Sequence, residues 1–169
     1  MTQNGGVATD AGMGVSDLLT VLDTFRSTGC RFWLEGGWGV DALVGHQTRP
    51  HRDVDVDFDA RFESAVLAAL ENLGYVIDTD WRPNRVELGA PGERWVDLHP
   101  LVINADGSAR QAALGGGWHE FDKSWFTTGS IGGIDVPCIS AEAQWLFHSG
   151  YELRTIDLLD LAQLDRPGK

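Results

Sequence analysis

Leu18, Leu19, Val21, Leu22 and Phe25 recur at helical spacing behind Ser16, which predicts an amphipathic helix capped by Ser16 and ending near Gly29. A short strand follows, Arg31 to Glu35, and Gly36-Gly37 then turns the chain into a brief helix carrying Trp38, Val40 and Leu43. Beyond the polar loop GHQTRPH the pattern changes to strict alternation. In HRDVDVDFD, His51 through Asp59, the acids Asp53, Asp55 and Asp57 fall on one face of a strand, and Val54, Val56 and Phe58 fall on the other. The carboxylate row faces a cleft; the apolar row faces a core. From Ala60 helical spacing returns through Phe62, Val66, Leu67, Leu70 and Leu73, with Asp59 as its N-cap and Gly74 as its stop.

Extended segments then dominate. Tyr75 to Asp78, Arg85 to Leu88 and Arg94 to Ile103 are separated by turns at Arg82-Pro83-Asn84 and Ala90-Pro91-Gly92. The third contains a further alternating run with an acid in it, Val96-Asp97-Leu98-His99. Residues 104 to 133 are rich in Gly and polar residues, with Trp118, Phe121, Trp125 and Phe126 interspersed; they predict a long irregular excursion or a loose hairpin that carries a binding surface. A strand from Ile134 to Cys138, a helix capped by Ser140 and a last helix from Leu153 to Leu164 complete the chain. The expected class is α/β (α+β), a small mixed β-sheet flanked by helices with a short helical C-terminal segment. The expected organisation is a disordered tail over 1–15, a catalytic domain over 16–138 and a helical segment over 139–169 packed on that same domain.

At 169 residues, this is one domain with a respectable core. Seven Trp and seven Phe exclude wholesale disorder. A formal charge of -12 repels DNA and RNA and attracts small cations, so no nucleic-acid partner is expected. Cys30 and Cys138 match no metal spacing and read as reduced core thiols. The first fifteen residues hold no Lys or Arg and no long apolar run. They are neither signal peptide nor membrane anchor, and a cytoplasmic location without a membrane partner follows as the expectation.

The acids carry the candidate chemistry. Carboxylates two residues apart on a strand lie roughly 6.5–7 Å apart at the backbone, and their side chains can converge on one hard cation, Mg²⁺ being the natural candidate. The Gly36-Gly37 turn adds a close backbone approach, with N–H groups at a helix start aimed at phosphate oxygens. Asp97 on a neighbouring strand completes metal ligation or takes the proton of an acceptor hydroxyl. Set against this is the plainer reading that DxDxD is a half-buried edge strand with a solvated face, to which Asp57 and Asp59 lean. Arg49, His51 and Arg52 stand where cations meet a triphosphate tail, or where they merely offset nearby carboxylates. Arg85 and Glu87 share one strand face, as substrate contacts or as a structural cross-strand pair. Trp38 and Trp81 read as core rather than ligand-stacking groups. Histidines 46, 99, 119 and 148 show no metal spacing, and only His99, alternating with Asp97, faces the same cleft.

The stretch WLEGGWGVDALVGHQTRPHRDVDVDFDA resembles the small lincosamide nucleotidyltransferases of the polymerase-β-like superfamily. So do NRVEL, WVDLHPL, the Gly-Gly-Trp at 116 to 118 and VPCISAEAQWLFHSGYEL, so the likeness runs from Trp33 to Asp160. The superfamily's glycine turn, acid-x-acid pair and later third acid correspond here to Gly36-Gly37, Asp53, Asp55 and Asp97. The resemblance implies a nucleotidyltransferase fold with transfer of AMP from ATP to a lincosamide hydroxyl, Mg²⁺ as cofactor and ATP as co-substrate. It also implies a nucleotide side at Gly36, Gly37, Arg49, His51 and Arg52, and a substrate side at Arg85, Glu87 and His99. By analogy with aminoglycoside nucleotidyltransferases, Asp97 is the general base. Competing readings keep the chemistry but use an aminoglycoside or another small or macromolecular hydroxyl, or reduce the chain to a nucleotide-binding module without turnover. Three intact acids argue against the last. The chain is short for two substrates, which favours a homodimer that lends part of the acceptor pocket.

Overall fold

The computed structural model describes residues 12–149 and 151–164. Helix α1 (Val15–Ser27) leads to strand β1 (Phe32–Glu35), helix α2 (Gly36–Val44) and strand β2 (Asp53–Asp59). A 3-10 turn, Ala60–Phe62, opens α3 (Glu63–Asn72), and β3 (Val76–Trp81), β4 (Arg85–Ala90) and β5 (Arg94–Ile103) follow. The chain closes with β6 (Ala109–Ala112), β7 (Trp118–Phe121), β8 (Phe126–Ile131), β9 (Ile134–Ile139), α4 (Ala141–Phe147) and α5 (Thr155–Ala162). The sheet runs β3-β4-β5-β2-β1-β9-β8, with the β6–β7 hairpin branching from β5. It is mixed, because β2 runs parallel to β5 and β1 parallel to β9 while the other neighbours are antiparallel. The expected architecture stands, with a larger sheet than the composition of residues 104 to 133 suggested.

One face of the sheet makes the main core. Val54, Val56 and Phe58 of β2, Val96 and Leu98 of β5 and Leu34 of β1 are fully buried together with Leu18, Val21, Leu22 and Phe25 of α1 and Val66 and Leu70 of α3. Phe25 packs its ring on Phe32 and Phe58 at 5.3 and 5.9 Å. Each such side chain contributes about 1.5–3 kcal/mol on burial, so the apolar row of an alternating strand anchors whatever the other row carries. A smaller core of Leu101, Ala109 and Phe121 forms under the hairpin, with Trp33, Trp125, Phe126 and Phe147 packed against it. Helices α4 and α5 pack on α2.

Four expectations need correction. Helix α1 is capped at Gly14, not Ser16, because the Asp17 carboxylate accepts from the Gly14 N–H at 3.2 Å and draws Ser16 into the first turn. Of the tail expected over 1–15, residues 1–11 lie outside the described residues; the last four are ordered. Met13 is buried, donates its N–H to the His51 carbonyl at 2.9 Å and accepts from the Tyr75 hydroxyl at 3.5 Å. The excursion at 104 to 133 holds three strands, since β6 finds a partner in the far end of β5. Strand β2 is no edge: β1 and β5 flank it, which leaves Asp57 without the solvated face expected for it. Cys30 and Cys138 are free and buried, as read. No described helix is long and apolar enough to cross a membrane.

Candidate active site

Strand register builds the site. Glu35 of β1 faces Asp55 of β2, Asp55 faces Asp97 of β5, and Asp97 faces Glu87 of β4. Four carboxylates thus stand in one line across four adjacent strands, at a strand spacing of about 4.8 Å. Two residues further along, Asp57 faces His99. Alternation puts all of them on the face opposite the apolar core.

Crowding and burial shift their proton affinities. Burial, then the Asp55 charge, pushes the Asp53 carboxyl up to about 7. Burial likewise raises Asp97 to about 6, against the pull of His99 and Arg85. Asp57, completely buried and beside Glu35, is driven well above the ordinary carboxylate range, by burial first. Burial alone would lower His99, but its hydrogen bond to Asp55 and the charges of Glu35 and Asp97 carry it up to about 9. Each shift marks excess negative charge in a desolvated place.

The donor set fits a divalent cation. Asp55, Asp97 and His99 each offer a ligand atom within 4.8 Å of the others, and Glu35, Asp57 and His99 form a second such group. Asp97 Oδ1 is buried with no hydrogen-bond partner among the described residues, while Asp57, held toward its protonated form, shares a hydrogen bond with Glu35. The other Asp97 oxygen accepts from Arg85 Nη1 at 2.6 Å, and that guanidinium lies over the Trp81 ring at 4.4 Å. His99 Nε2 is 3.5 Å from Asp55 Oδ1 and 3.9 Å from Asp97 Oδ2. Asp53 lines the same cavity but belongs to neither ligand group, and Arg52 Nη1 meets its carboxylate at 3.4 Å. His99, for which sequence spacing offered no ligand role, joins both groups through register.

The glycine turn sits against this row. Gly36 has φ +62°, and a Cβ there would collide with the Asp55 carboxylate. A Cβ on Gly37 would lie 2.5 Å from Arg49 Nη2 and 2.6 Å from His51 Nδ1. Only glycine lets the start of α2 approach so closely. From α4, the buried Gln144 donates Nε2–H to the Gly36 carbonyl at 3.2 Å and fixes the turn from behind.

A cavity of about 360 Å³ results. Gly36, Gly37, Asp53, Asp55, Asp97, Arg49, Arg52, Arg85 and Glu87 line it, and the C-terminal segment adds His148, Arg154, Asp157 and Asp160. Arg49 donates both Nε–H and Nη2–H to Asp160, at 2.7 and 2.8 Å. Arg52 lies between Asp53 and Glu87 and over the Trp95 ring at 4.6 Å. His51 is the exception among the expected phosphate-side groups: it is buried beneath the turn, bonded to Asp41 through Nε2, with its ring 4.5 Å from Trp38. Its apolar neighbour and its carboxylate partner take it out of the cavity wall and make it a support of the loop. Asp41 accepts from Thr48 as well, and these bonds outweigh a burial that acts the other way and hold its carboxyl low. Trp38 is core, as read, whereas Trp81 is half exposed beneath Arg85.

Sequence reasoning missed Glu35, Gln144, Arg154, Asp157 and Asp160. Glu35 was within reach, since it ends a predicted strand beside the glycine turn. Gln144, Asp157 and Asp160 come from helices, and Arg154 from the residue before α5, with no local signal of a site.

A glycine-started helix packed on an acid-x-acid strand, with a third acid one strand over, defines a nucleotidyltransferase, an enzyme class that uses a nucleotide and a divalent metal. Comparison with known proteins agrees. Residues 17–164 match the family model described as aminoglycoside-2''-adenylyltransferase, and the chain belongs to that family. A lincosamide resistance protein of Staphylococcus haemolyticus is 45% identical over 148 residues, which cover 88% of this chain and 92% of that protein. The crystal structure of the lincosamide antibiotic adenylyltransferase LnuA with lincomycin bound superposes with a TM-score of 0.84 at 43% identity, covering 90% of this chain and 96% of that one. ANT(2'')-Ia in complex with adenylyl-2''-tobramycin, at 17% identity and a TM-score of 0.68 over 88% and 85% of the two chains, shares the fold.

Proposed function

We propose that this enzyme transfers AMP from Mg-ATP to a hydroxyl of a lincosamide antibiotic, releases pyrophosphate and so inactivates the drug in the cytoplasm. The carrying observation is the cross-strand pairing of Asp55 with Asp97 beside the Gly36-Gly37 helix start. The likeness over most of its length to a lincosamide resistance protein and to LnuA supports the choice of acceptor.

In this reading Asp55 and Asp97 would hold Mg²⁺, with Asp53 beside them on the cavity wall, and the ion would neutralise triphosphate charge. Backbone N–H groups of Gly36 and Gly37, with Arg49 and Arg52, steady the phosphate tail. Asp97 accepts the proton of the acceptor hydroxyl. The hydroxyl oxygen attacks the α-phosphorus, the bond from that phosphorus to the bridging oxygen breaks, and pyrophosphate leaves with the electron pair. Arg85 and His99 set the orientation of the Asp97 carboxylate, and Glu87 closes the row. A homodimer completing the acceptor pocket is part of this reading, and a monomer with full activity in light scattering would reject it.

Mass spectrometry of lincomycin, clindamycin and an aminoglycoside, incubated with enzyme, ATP and Mg²⁺ beside an Asp53→Asn control, tests the proposal. AMP is expected on the lincosamides alone and only with Asp53 intact. The match of residues 17–164 to the aminoglycoside-2''-adenylyltransferase model supports a second reading, in which the aminoglycoside is modified. Asp97→Asn is expected to abolish turnover while leaving Mg-ATP binding largely intact; an active variant would remove Asp97 from the role of base.

A further inference from the structure

Helix α5 turns its charges inward. Asp157 and Asp160 are buried on its inner side with Leu161, while Ile156, Leu158 and Leu159 remain exposed. Apolar residues facing inward would dock the helix at a lower free-energy cost, because a carboxylate taken out of water must find a partner. Both acids have one, and both pairs line the cavity of the carboxylate row.

The two pairs differ in reach. Asp157 accepts from Nε and Nη2 of Arg154 at 3.1 and 3.0 Å, a local pair whose arginine stays mostly exposed. Asp160 reaches across the fold and accepts from Nε and Nη2 of Arg49 at 2.7 and 2.8 Å. Nη1 of Arg49 donates to the Pro50 carbonyl at 3.0 Å. The protein thus fixes three of the five N–H groups of this guanidinium and leaves two. The same group lies against the glycine turn, with Nη2 2.5 Å from the place a Cβ on Gly37 would take.

Desolvation offsets much of the attraction in a buried ion pair, so stability alone gives little reason for this one. Orientation gives a better reason. Arginine has a long flexible stem whose freedom is lost when its planar fork engages a phosphate, and a carboxylate that already grips the fork removes that freedom in advance. The accompanying penalty is a negative charge placed near a polyanion.

We propose that Asp160 is a positioning residue for the nucleotide: it holds Arg49 against the Gly36-Gly37 turn, so that the two remaining N–H groups meet the triphosphate already oriented. Asp160 itself touches no substrate, and α5 becomes part of the phosphate site. The proposal rests on the nucleotide half of the function given above and is independent of the acceptor.

Calorimetric titration of Mg-ATP into the wild type, Asp160→Asn, Arg49→Lys and the double variant tests it. Asp160→Asn should weaken binding about fivefold by releasing the fork, and Arg49→Lys about as much by removing the fork while keeping the charge. The double variant should bind no more weakly than Arg49→Lys, because no fork is left to orient. In turnover the KM for ATP should rise with these losses and the KM for lincomycin should stay within about twofold. Binding by Asp160→Asn that equals or exceeds the wild type, as loss of a negative charge alone would give, overturns the proposal, and so do additive losses in the double variant. If Asp160→Asn fails to fold, Arg49→Lys decides: wild-type affinity there shows that a fixed fork is not needed. A wild type that binds no Mg-ATP overturns the nucleotide reading and the proposal with it, whereas the identity of the acceptor bears on none of these titrations.

Discussion

On one face of β2, Val54, Val56 and Phe58 are fully buried; on the other, Asp57 is buried as completely, and its neighbour Asp97 on β5 nearly so. Two rows of side chains one residue apart therefore meet similar desolvation with opposite consequences. Removing water from the apolar row stabilises the fold, whereas removing it from the acids drives carboxyl groups upward and leaves acceptor oxygens without donors. The site is tolerated because the core beneath it is tightly packed.

The largest effect that separates the rows is on activity. Asp55→Asn, at the centre of the carboxylate line, should lower kcat by about 10³-fold or more, equivalent to ~4 kcal/mol of transition-state stabilisation. The melting temperature of the metal-free variant should stay level or rise, because one charge leaves a crowded row. A variant that keeps its activity, or melts several degrees lower, would break the distinction between the faces.

Across the strand the outcome should reverse. Val56→Ala leaves a cavity among Leu34, Phe58 and Leu98 and should cost about 2–3 kcal/mol, read as a lower urea midpoint at unchanged slope. Its kcat per folded molecule should stay within about twofold of wild type.

A smaller effect follows from pH. Asp53 and Asp97 titrate near 7 and 6 in the fold but near 4 when unfolded, so between those values the folded state binds more protons and stability falls as pH rises. His99, raised to about 9, loses its contribution over a higher window in the same direction. Metal-free protein should therefore melt lower at about pH 8 than at about pH 5.5, and Mg²⁺ should restore more at the higher pH. Asp53→Asn should flatten the slope. A flat profile in the wild type would mean that the carboxylates are already ionised without a cation.

Much of this arrangement was legible in the chain. Alternation in DVDVDFD and VDLHPL placed both rows on their faces, Asp59 and Ser140 cap where read, and β5 spans the residues expected of it. These are local signals, set by a period of two or by a hydrogen bond two or three residues away. What stayed hidden depends on register between strands or on distant packing. The line from Glu35 to Glu87 exists only once β1, β2, β5 and β4 are aligned, and the salt bridge from Arg49 to Asp160 joins residues 111 apart. A hairpin within 104 to 133 was one of two alternatives left open, because a glycine-rich turn masks two short strands that are stabilised by the end of β5 rather than by their own composition.

Asp57 marks the boundary of the acid row and should give the smallest effect. It lies on the carboxylate face yet is absent from the lining of the 360 Å³ cavity, and its oxygens face Glu35 and His99 rather than solvent. Burial, then Glu35, displaces it far toward the protonated form, and a neutral carboxylic acid has nearly the size and shape of an amide. Asp57→Asn should therefore change the melting temperature little at about pH 6, and kcat by no more than a few-fold. Raising the pH forces charge onto the wild-type group but not onto the amide, so the variant should become the more stable of the two as pH climbs. If Asp57→Asn instead destroys activity as Asp55→Asn does, then the Glu35, Asp57 and His99 group takes part in holding the cation, and the functional row extends one step deeper into the sheet than the cavity wall indicates.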